Sequence, residues 1–483
     1  MTDARGEAER LLRRFARDTN LLIAGRPFRV TGDGPVAASL GAMLSGMGAR
    51  VLSADVQAAD ATSEVVIDVT TGDITLGGAP MGGRGDAAGR LGFAAAHMPV
   101  STALAADLAD AGTLAGLGIG VSMTLEPKTA NLALLLAKAG ATVAVYAHPD
   151  ETDEAVAQAL RDRGVPVDAD STLTTPAAER AAALSFLDRG LDVLVDDGSH
   201  VTRLAHEARP ELVARWTGAT EETTSGLTPL RRMHAAGALA TGVVAVNDAI
   251  TKTGFDNRYG TGQSCVLAIA DLLDAAGVSV RDQPAHVVGY GPVGEGVAAH
   301  LRALGATVTA SEIDPARALL AAHDGYEVTT LAAAAPGALV VSATGWPGTV
   351  PAHVTERAAA VAVAGGVPHE IAWDGDLTPV APHVERTSTG ALILDRGGCI
   401  NVTAAEGNPI EIMDLSFATQ LAAVAEVVTT RPAVGVHALS PAAVERVAAT
   451  AARVRRVPLE ARPATAQAID TDWHSPRYRE EIA

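Results

Sequence analysis

Lysine is almost absent from this chain of 483 residues: of 37 basic residues only Lys128, Lys138 and Lys252 are lysine. Lysine can shed its proton when desolvated and arginine cannot, so a chain that uses arginine nearly everywhere marks Lys252 as a functional residue. Cysteine is as scarce. Cys265 and Cys399 lie far apart and form neither a metal-ligand spacing nor a disulfide pattern, which suits a reducing cytosol. Positive charge is short too, and a net charge of −19 would repel phosphates, which excludes a nucleic-acid partner. No apolar run approaches the ~18 residues of a membrane span, and the first thirty residues hold no basic segment followed by an apolar core. The expectation is a cytoplasmic protein with no membrane contact. No His/Cys/Asp/Glu spacing suggests a metal. Aromatics make up only 3% while hydrophobic residues reach 48% against 19% charged, which describes a core-rich globular chain of two or three domains.

What is present centres on NDAITKTGFDNRYGTGQS (Asn247 to Ser264), one lysine among two carboxylates and two asparagines. Some twenty residues on comes HVVGYGPVGEGVAAHLRALGATVTASEID, a buried strand, a GxGxxG turn, an amphipathic helix and a second strand ending in an acid. Gly289 and Gly291 form the turn, and Gly294 allows close helix packing. Glu312 is spaced to hold the adenosine ribose of NAD and to repel the 2′-phosphate of NADP. The stretch Arg29 to Val56 echoes this unit, with Gly32, Gly34, Ala37 and Asp55 on Gly289, Gly291, Gly294 and Glu312. It reads as a degenerate Rossmann-like half used for packing or oligomerisation, the alternative being a second nucleotide site. Too little chain follows to complete a second sheet before residue 85, and MGGRGDAAG reads as a linker.

From about residue 90, GIGVSMT, ATVAVYA and LDVLVDD are strand-like runs separated by helical periods, which predicts a parallel sheet. Functional residues of such sheets gather at strand carboxyl ends, where Thr124, His148 and Asp196–Asp197 lie. The fold expected is α/β: a Rossmann-like NAD domain (256–405) inserted in an α/β substrate domain (86–255, returning at 406–457). An N-terminal Rossmann-like βαβ extension (1–85) and a C-terminal arm (458–483) complete it.

DDGSH, EETTSG, NDAITKTGFDNRYGTGQS, GYGPVGEGVA, EIDPARAL, DGYEV, SATG and MDLSFA together resemble the S-adenosyl-L-homocysteine hydrolase family, from about His97 to Val436. The resemblance implies a tightly held NAD that oxidises a 3′-hydroxyl, acidifying the 4′ C–H so that a 5′ substituent leaves. By position it makes Lys252 and Glu222 flank the 3′-hydroxyl, with Lys252 as the base that assists hydride removal. It places Asp256 on the sugar diol, Asp197 near the 4′ proton and Asn257 beside the nicotinamide. Thr223, Thr224, Gly289, Gly291, Gly294, Glu312, Thr344 and Asn401 match NAD contacts. Glu126, Lys128, Asn408 and Met413 match the side that receives a purine nucleoside. Three departures stand out. Thr124 (or, in another register, Ser122), Gly366 and Asn408 occupy positions where family members carry histidine, with His369 a possible substitute for the second. The oxidising half is kept and the leaving-group half rebuilt. The expected activity is therefore an NAD-dependent dehydratase giving an unsaturated-sugar nucleoside of the decoyinine or angustmycin type. The alternatives are an adenosylhomocysteinase with substituted acid/base groups, or a silent NAD- and nucleoside-binding regulator. A homo-oligomer, tetramer or dimer, is implied, and Arg477 and Tyr478 are candidates for closing a neighbour's cofactor site.

Overall fold

The structure is a computed structural model that describes residues 3–461 except 59, 335 and 368; the expected closing pair Arg477 and Tyr478 lies outside the described residues. Three sheets organise the chain. The amphipathic start forms the helix Ala4–Thr19, N-capped by Asp3, and buries Leu12 and Phe15. Next comes a five-stranded sheet. Pro27–Thr31 lies between Arg50–Val51 and Val65–Asp68, both parallel to it, and Ile74–Leu76 and Ala79–Pro80 add an antiparallel hairpin at one edge. The chain before residue 85 thus does complete a sheet, because a hairpin needs only a tight turn where a parallel strand needs a crossover.

The central sheet has six parallel strands in the order Gly435–Ala438, Gly242–Ala245, Gly218–Glu221, Val193–Asp196, Gly118–Ser122, Thr142–Tyr146. Three of them, Val193–Asp196, Gly218–Glu221 and Gly242–Ala245, are buried at every residue, and Gly118–Ser122 in all but its first, as expected of parallel strands covered on both faces. The eight-stranded sheet is inserted in sequence before the last of these strands. Its parallel part runs Glu327–Val328, Thr307–Ser311, Pro284–Val288, Leu339–Ser342, Ala360–Val363, Leu392–Leu394, and two antiparallel strands close one edge. Its first strand sits in the middle with the second and third to one side and the fourth and fifth to the other, the doubly wound order that leaves a crevice at the reversal point.

The helix Ile410–Thr430 is the one described helix long and apolar enough to cross a membrane, but most of it is buried against the central sheet, and it is a core helix here. The first unit is bolted to the rest by polar contacts. Arg13 pairs with Asp271 and Asp274 on the helix Thr261–Ala275, and Arg26 pairs with Glu411. Arg84 and Arg90 both pair with Glu406, whose carbonyl also accepts from Asn20 Nδ2 at 2.9 Å. Residues 406–411, which connect the eight-stranded sheet back to the central one, are therefore held by the N-terminal unit.

Candidate active site at the carboxyl edge of the central sheet

Parallel strands end at the same edge, so the residues just after neighbouring strands become neighbours in space. Along this edge the order is Lys252 and Asn247 after Gly242–Ala245, Glu222 after Gly218–Glu221, Asp197 after Val193–Asp196, Thr124 after Gly118–Ser122, and Glu151 after Thr142–Tyr146.

Lys252 lies on the short helix Ile250–Thr253 and is buried; its Nζ donates to Asn257 Oδ1 at 2.9 Å and sits 3.4 Å from Asp256 Oδ1. The widened π-turn Asp256–Gly260 aims Asp256 back at the lysine. Burial pulls the lysine's pKa down, yet the carboxylates of Asp256, Glu222 and Asp197 outweigh it, so the ammonium is held above its ordinary range. A lysine neutral at rest, the usual reason for keeping one in a catalytic cluster, is not what this arrangement makes; Lys252 rests as a cation.

Glu222 is buried, and burial, reinforced by the charges of Asp256 and Asp197 against the pull of Lys252, pushes its pKa up to about 8. Gln420 Nε2 donates to its Oε2, while its Oε1 and the Oε1 of Gln420 are buried without a hydrogen-bond partner among the described residues. Unpaired buried polar atoms are costly and point to a missing ligand. Asp197 rises to about 7, through burial first and then the charge of Glu151, opposed by Lys252. Asp196 and Glu221, immediately behind, are committed to the fold. Asp196 accepts from Thr202 N and Oγ1, and Glu221 Oε1 accepts from Gly198 N and from Thr223 N and Oγ1. A β-carbon on Gly226 would lie 2.2 Å from Glu221 Oε1, so the glycine of EETTSG makes room for that carboxylate.

Asn408 stands at the centre of a closed network. Its Nδ2 donates to Asp256 Oδ1 (2.9 Å) and Thr261 Oγ1 (3.0 Å), and its Oδ1 accepts from Ser264 Oγ (2.7 Å) and Asn401 Nδ2 (2.9 Å). Ser416 Oγ holds the other oxygen of Asp256 at 2.9 Å. The asparagine therefore fixes Asp256 and spends its amide on protein partners. Thr124 Oγ1 donates to Glu151 Oε2 at 3.2 Å. Ser122, the alternative register, is buried and bonds Asp196. Gly366 lies beyond Ala360–Val363 at φ +78°, and His369 is exposed with φ +63°, its carbonyl accepting from Gly348 N.

Two expected substrate contacts have other work. Lys128 is fully buried and its Nζ reaches Glu126 Oε2 (2.8 Å) and the carbonyl of Glu406 (2.7 Å); Glu126 caps its own helix through the Lys128 and Thr129 amides. A desolvated ammonium must satisfy its donors within the protein, and here it props the loop that carries Asn408. Met413 is half-buried one turn into the helix Ile410–Thr430.

The glycine turn of the eight-stranded sheet fits a dinucleotide. Gly289 has φ +90°, and Gly291 caps the helix Pro292–Leu304 with no side-chain hydrogen bond, leaving its first amides free for an anion. A β-carbon on Gly294 would stand 2.0 Å from the carbonyl oxygen of Gly289. Glu312 accepts from Tyr290 N and Ile313 N, both at 2.6 Å, and from Asp314 N at 3.0 Å, which pins its carboxylate at the mouth of the turn. Thr344, after the next strand, donates to Glu370 Oε2 at 3.0 Å; Thr223 caps the helix Thr224–Ala235, and Thr224 is exposed at its start. The polar cluster is tied to this turn by glycine: β-carbons on Gly296 and Gly262 would meet the Arg258 carbonyl and the Gly296 backbone, at 1.9 and 2.7 Å. Among the described residues no cluster of His, Cys, Asp or Glu is placed to hold a metal.

The sequence reading missed Glu151, Gln420, Ser416 and Thr261. The strand-end rule that marked His148 covers Glu151 as well. Ser416 and Gln420 are spaced i, i+4 on one face of the helix begun by MDLSFATQ.

Comparison with known proteins agrees with this geometry. Residues 257–378 match the family model described as S-adenosyl-L-homocysteine hydrolase, NAD binding domain. The chain is 35% identical over 354 residues to the adenosylhomocysteinase of Aeropyrum pernix, covering 70% of this chain and 84% of that one. It is 37% identical over 356 residues to the adenosylhomocysteinase of Gloeobacter violaceus, covering 69% and 81%. It is 36% identical over 344 residues to the S-inosyl-L-homocysteine hydrolase of Methanopyrus kandleri, covering 67% and 79%.

Proposed function

The chain belongs to the S-adenosyl-L-homocysteine hydrolase family, as an NAD-using enzyme, and from that premise we propose that it transiently oxidises the 3′-hydroxyl of a purine nucleoside and expels the 5′ substituent. NAD, when bound, supplies the hydride acceptor and donor. Gly289, Gly291, Gly294 and Glu312 would hold it, with Thr223, Thr224, Asn257, Thr344 and Asn401 as further contacts.

The residues act in the order in which they stand. The Lys252–Asp256 pair, 3.4 Å apart and oriented by Asn257 and Asn408, takes up the hydroxyl proton; an ammonium can pass its own proton to Asp256 as it receives one. Glu222, protonated below about pH 8, offers its unpaired oxygen side to the sugar. Asp197, poised near pH 7, removes the 4′ proton once the neighbouring ketone has acidified it. The observation that carries this reading is that ordered row of one cation and three carboxyls, which is buried but for the partly exposed Asp197 and whose π-turn Asp256–Gly260 packs on the helix after the dinucleotide turn.

The relatives' names support an S-nucleosylhomocysteine as the substrate and its hydrolysis as the outcome. A second reading, elimination of water to an unsaturated sugar, is favoured by one specific feature: Thr124, Gly366 and Asn408 supply no imidazole, and Asn408 has its hydrogen bonds filled from within. The test is incubation of the NAD-loaded protein with S-adenosylhomocysteine, S-inosylhomocysteine, adenosine and a hydroxymethyl-branched adenine nucleoside, with products followed by mass. Homocysteine release supports the hydrolase, and loss of one water without it supports the dehydratase. No turnover of any of them, with a Lys252→Met protein behaving identically, counts against both. Because Asp197 must be ionised and Glu222 protonated, kcat/KM is expected to rise through about pH 7 and fall above about pH 8. A profile flat from about 6 to about 9, roughly one unit on either side of those values, removes these roles.

A further inference from the structure

Glu151 has no part in the reaction as set out so far, and its position is unusual for a bystander. It lies in the short turn Pro149–Glu151 above the end of Thr142–Tyr146, the strand at the edge of the central sheet. Its backbone is locked: the Glu151 carbonyl accepts from Leu125 N at 2.9 Å, and its amide donates to the His148 carbonyl at 3.0 Å. Its carboxylate is turned toward the next strand end, where Thr124 Oγ1 donates to Oε2 at 3.2 Å. That hydroxyl follows the strand Gly118–Ser122, which is paired with Val193–Asp196, and Asp197 N bonds the Ser122 carbonyl at 3.0 Å. Thr124 therefore stands between Glu151 and Asp197. The charge of an ionised Glu151 opposes ionisation of Asp197, so a Glu151 that carries a proton leaves Asp197 free to ionise.

The groups assigned to the 3′ and 4′ positions follow the strand order, Lys252 and Glu222 first and Asp197 next. Thr124 and, beyond it, Glu151 follow along the same edge, on the side where the order of the sugar positions would put the 5′ substituent. We propose that Glu151, held by Thr124, is the catalytic acid for the leaving group; this rests on the oxidation and elimination reading above. Asp197 as carboxylate takes the 4′ proton, the electron pair of that C–H forms the C4′–C5′ double bond, and the bond from C5′ to sulfur or oxygen breaks. The departing atom carries its electron pair away and takes the proton of the Glu151 carboxyl, leaving as thiol or water. One proton enters on Asp197 and one leaves from Glu151, so the pair ends with its protons exchanged and resets through solvent or the Thr124 hydroxyl. A carboxyl in this place supplies what the three absent imidazoles do not.

The experiment uses the full NAD-loaded chain, the Glu151→Gln variant and the Thr124→Val variant, with the nucleoside or S-nucleosylhomocysteine that the unaltered protein turns over. Deuterium uptake at C4′ from heavy water reads oxidation and proton removal; release of the 5′ group reads the later step. Glu151→Gln is expected to exchange deuterium within about twofold of the unaltered protein while release falls roughly 100-fold, the size of a lost general acid. Thr124→Val, which leaves the carboxyl but not its partner, is expected to fall roughly tenfold in release alone. Unchanged release in Glu151→Gln overturns the assignment, as does a parallel loss of exchange and release in both variants. A different result, no deuterium uptake at C4′ by the unaltered protein with any of these compounds, overturns the oxidation reading itself.

Discussion

In the first strand–turn–helix–strand unit, Pro27–Thr31 enters its turn through Gly32 and Gly34, at φ +92° and +97°. In the second, Pro284–Val288 enters through Gly289 at φ +90° and Gly291 at −78°. The two continue alike, each first strand lying between two parallel partners, its second strand on one side and a later strand on the other. They part at the third small residue and at the acid. Gly294 lets its helix lie against the turn, closer than a β-carbon allows, whereas Ala37 carries that carbon and its helix accommodates it. Glu312 is gripped by three backbone amides at the turn; Asp55 is exposed and takes its hydrogen bond from Ser53 Oγ, 2.7 Å away. Arg29 adds to the difference, tying Glu64 to the carbonyls of Ser53 and Val56 and drawing the loop of Asp55 onto its own sheet. The same local pattern thus yields a dinucleotide turn in one place. In the other it yields a packing unit whose helix Pro35–Gly46 lies against Pro292–Leu304.

The comparison can be broken most directly at the third position. Gly294→Val drives a side chain into the Gly289 carbonyl and is expected to weaken NAD binding roughly 100-fold, whereas Ala37→Val leaves it unchanged. Calorimetric titration of the apoprotein with NAD checks both, and an equal loss from the two changes would make the first turn a nucleotide site. If the first unit serves to hold residues 406–411, Arg84→Ala releases Glu406 and should lower stability by about 2 kcal/mol, read as a fall in Tm, with NAD affinity intact. An unchanged Tm removes that clamp. At the acid, Glu312→Gln is expected to cost about tenfold in NAD affinity, and Asp55→Asn nothing measurable. Weaker NAD binding in Asp55→Asn would erase the distinction. The smallest effect is Gly34→Ala, at φ +97° and ψ −169°, where a β-carbon is strained; about 1 kcal/mol of stability should go while NAD affinity holds. A larger loss in affinity than in stability would contradict the packing role.

Much of the site could be read along the chain. Lys252 and Asp256 are four residues apart, and Asp197 and Thr124 follow apolar runs of strand length, so local spacing placed them at strand ends, whereas Glu222 came from the resemblance. The antiparallel hairpin of the first sheet escaped because Ile74–Leu76 and Ala79–Pro80 are strands of three and two residues inside a glycine-rich segment. The contacts of Lys128 escaped for another reason. Its partner is the carbonyl of Glu406, 278 residues away, and no local pattern announces such a contact. Glu151 sits in HPDETDE, where four acids among seven residues read as a solvated turn until the hydroxyl of Thr124 singles one out.

By itself the sequence determined the parallel sheet and the dinucleotide turn, which rest on periodicity or on spacing within some thirty residues, and the family, which rests on the resemblance of its motifs. The tertiary structure alone decided the protonation of the cluster. Lys252 is held charged, Glu222 is raised to about 8 and Asp197 to about 7, because burial and the summed charges of residues brought from four strand ends set those values. It also decided that Asn408 closes a hydrogen-bond network and that Glu151 joins the site. Electrostatic free energy depends on distance and desolvation in three dimensions, and neither is written in the order of residues.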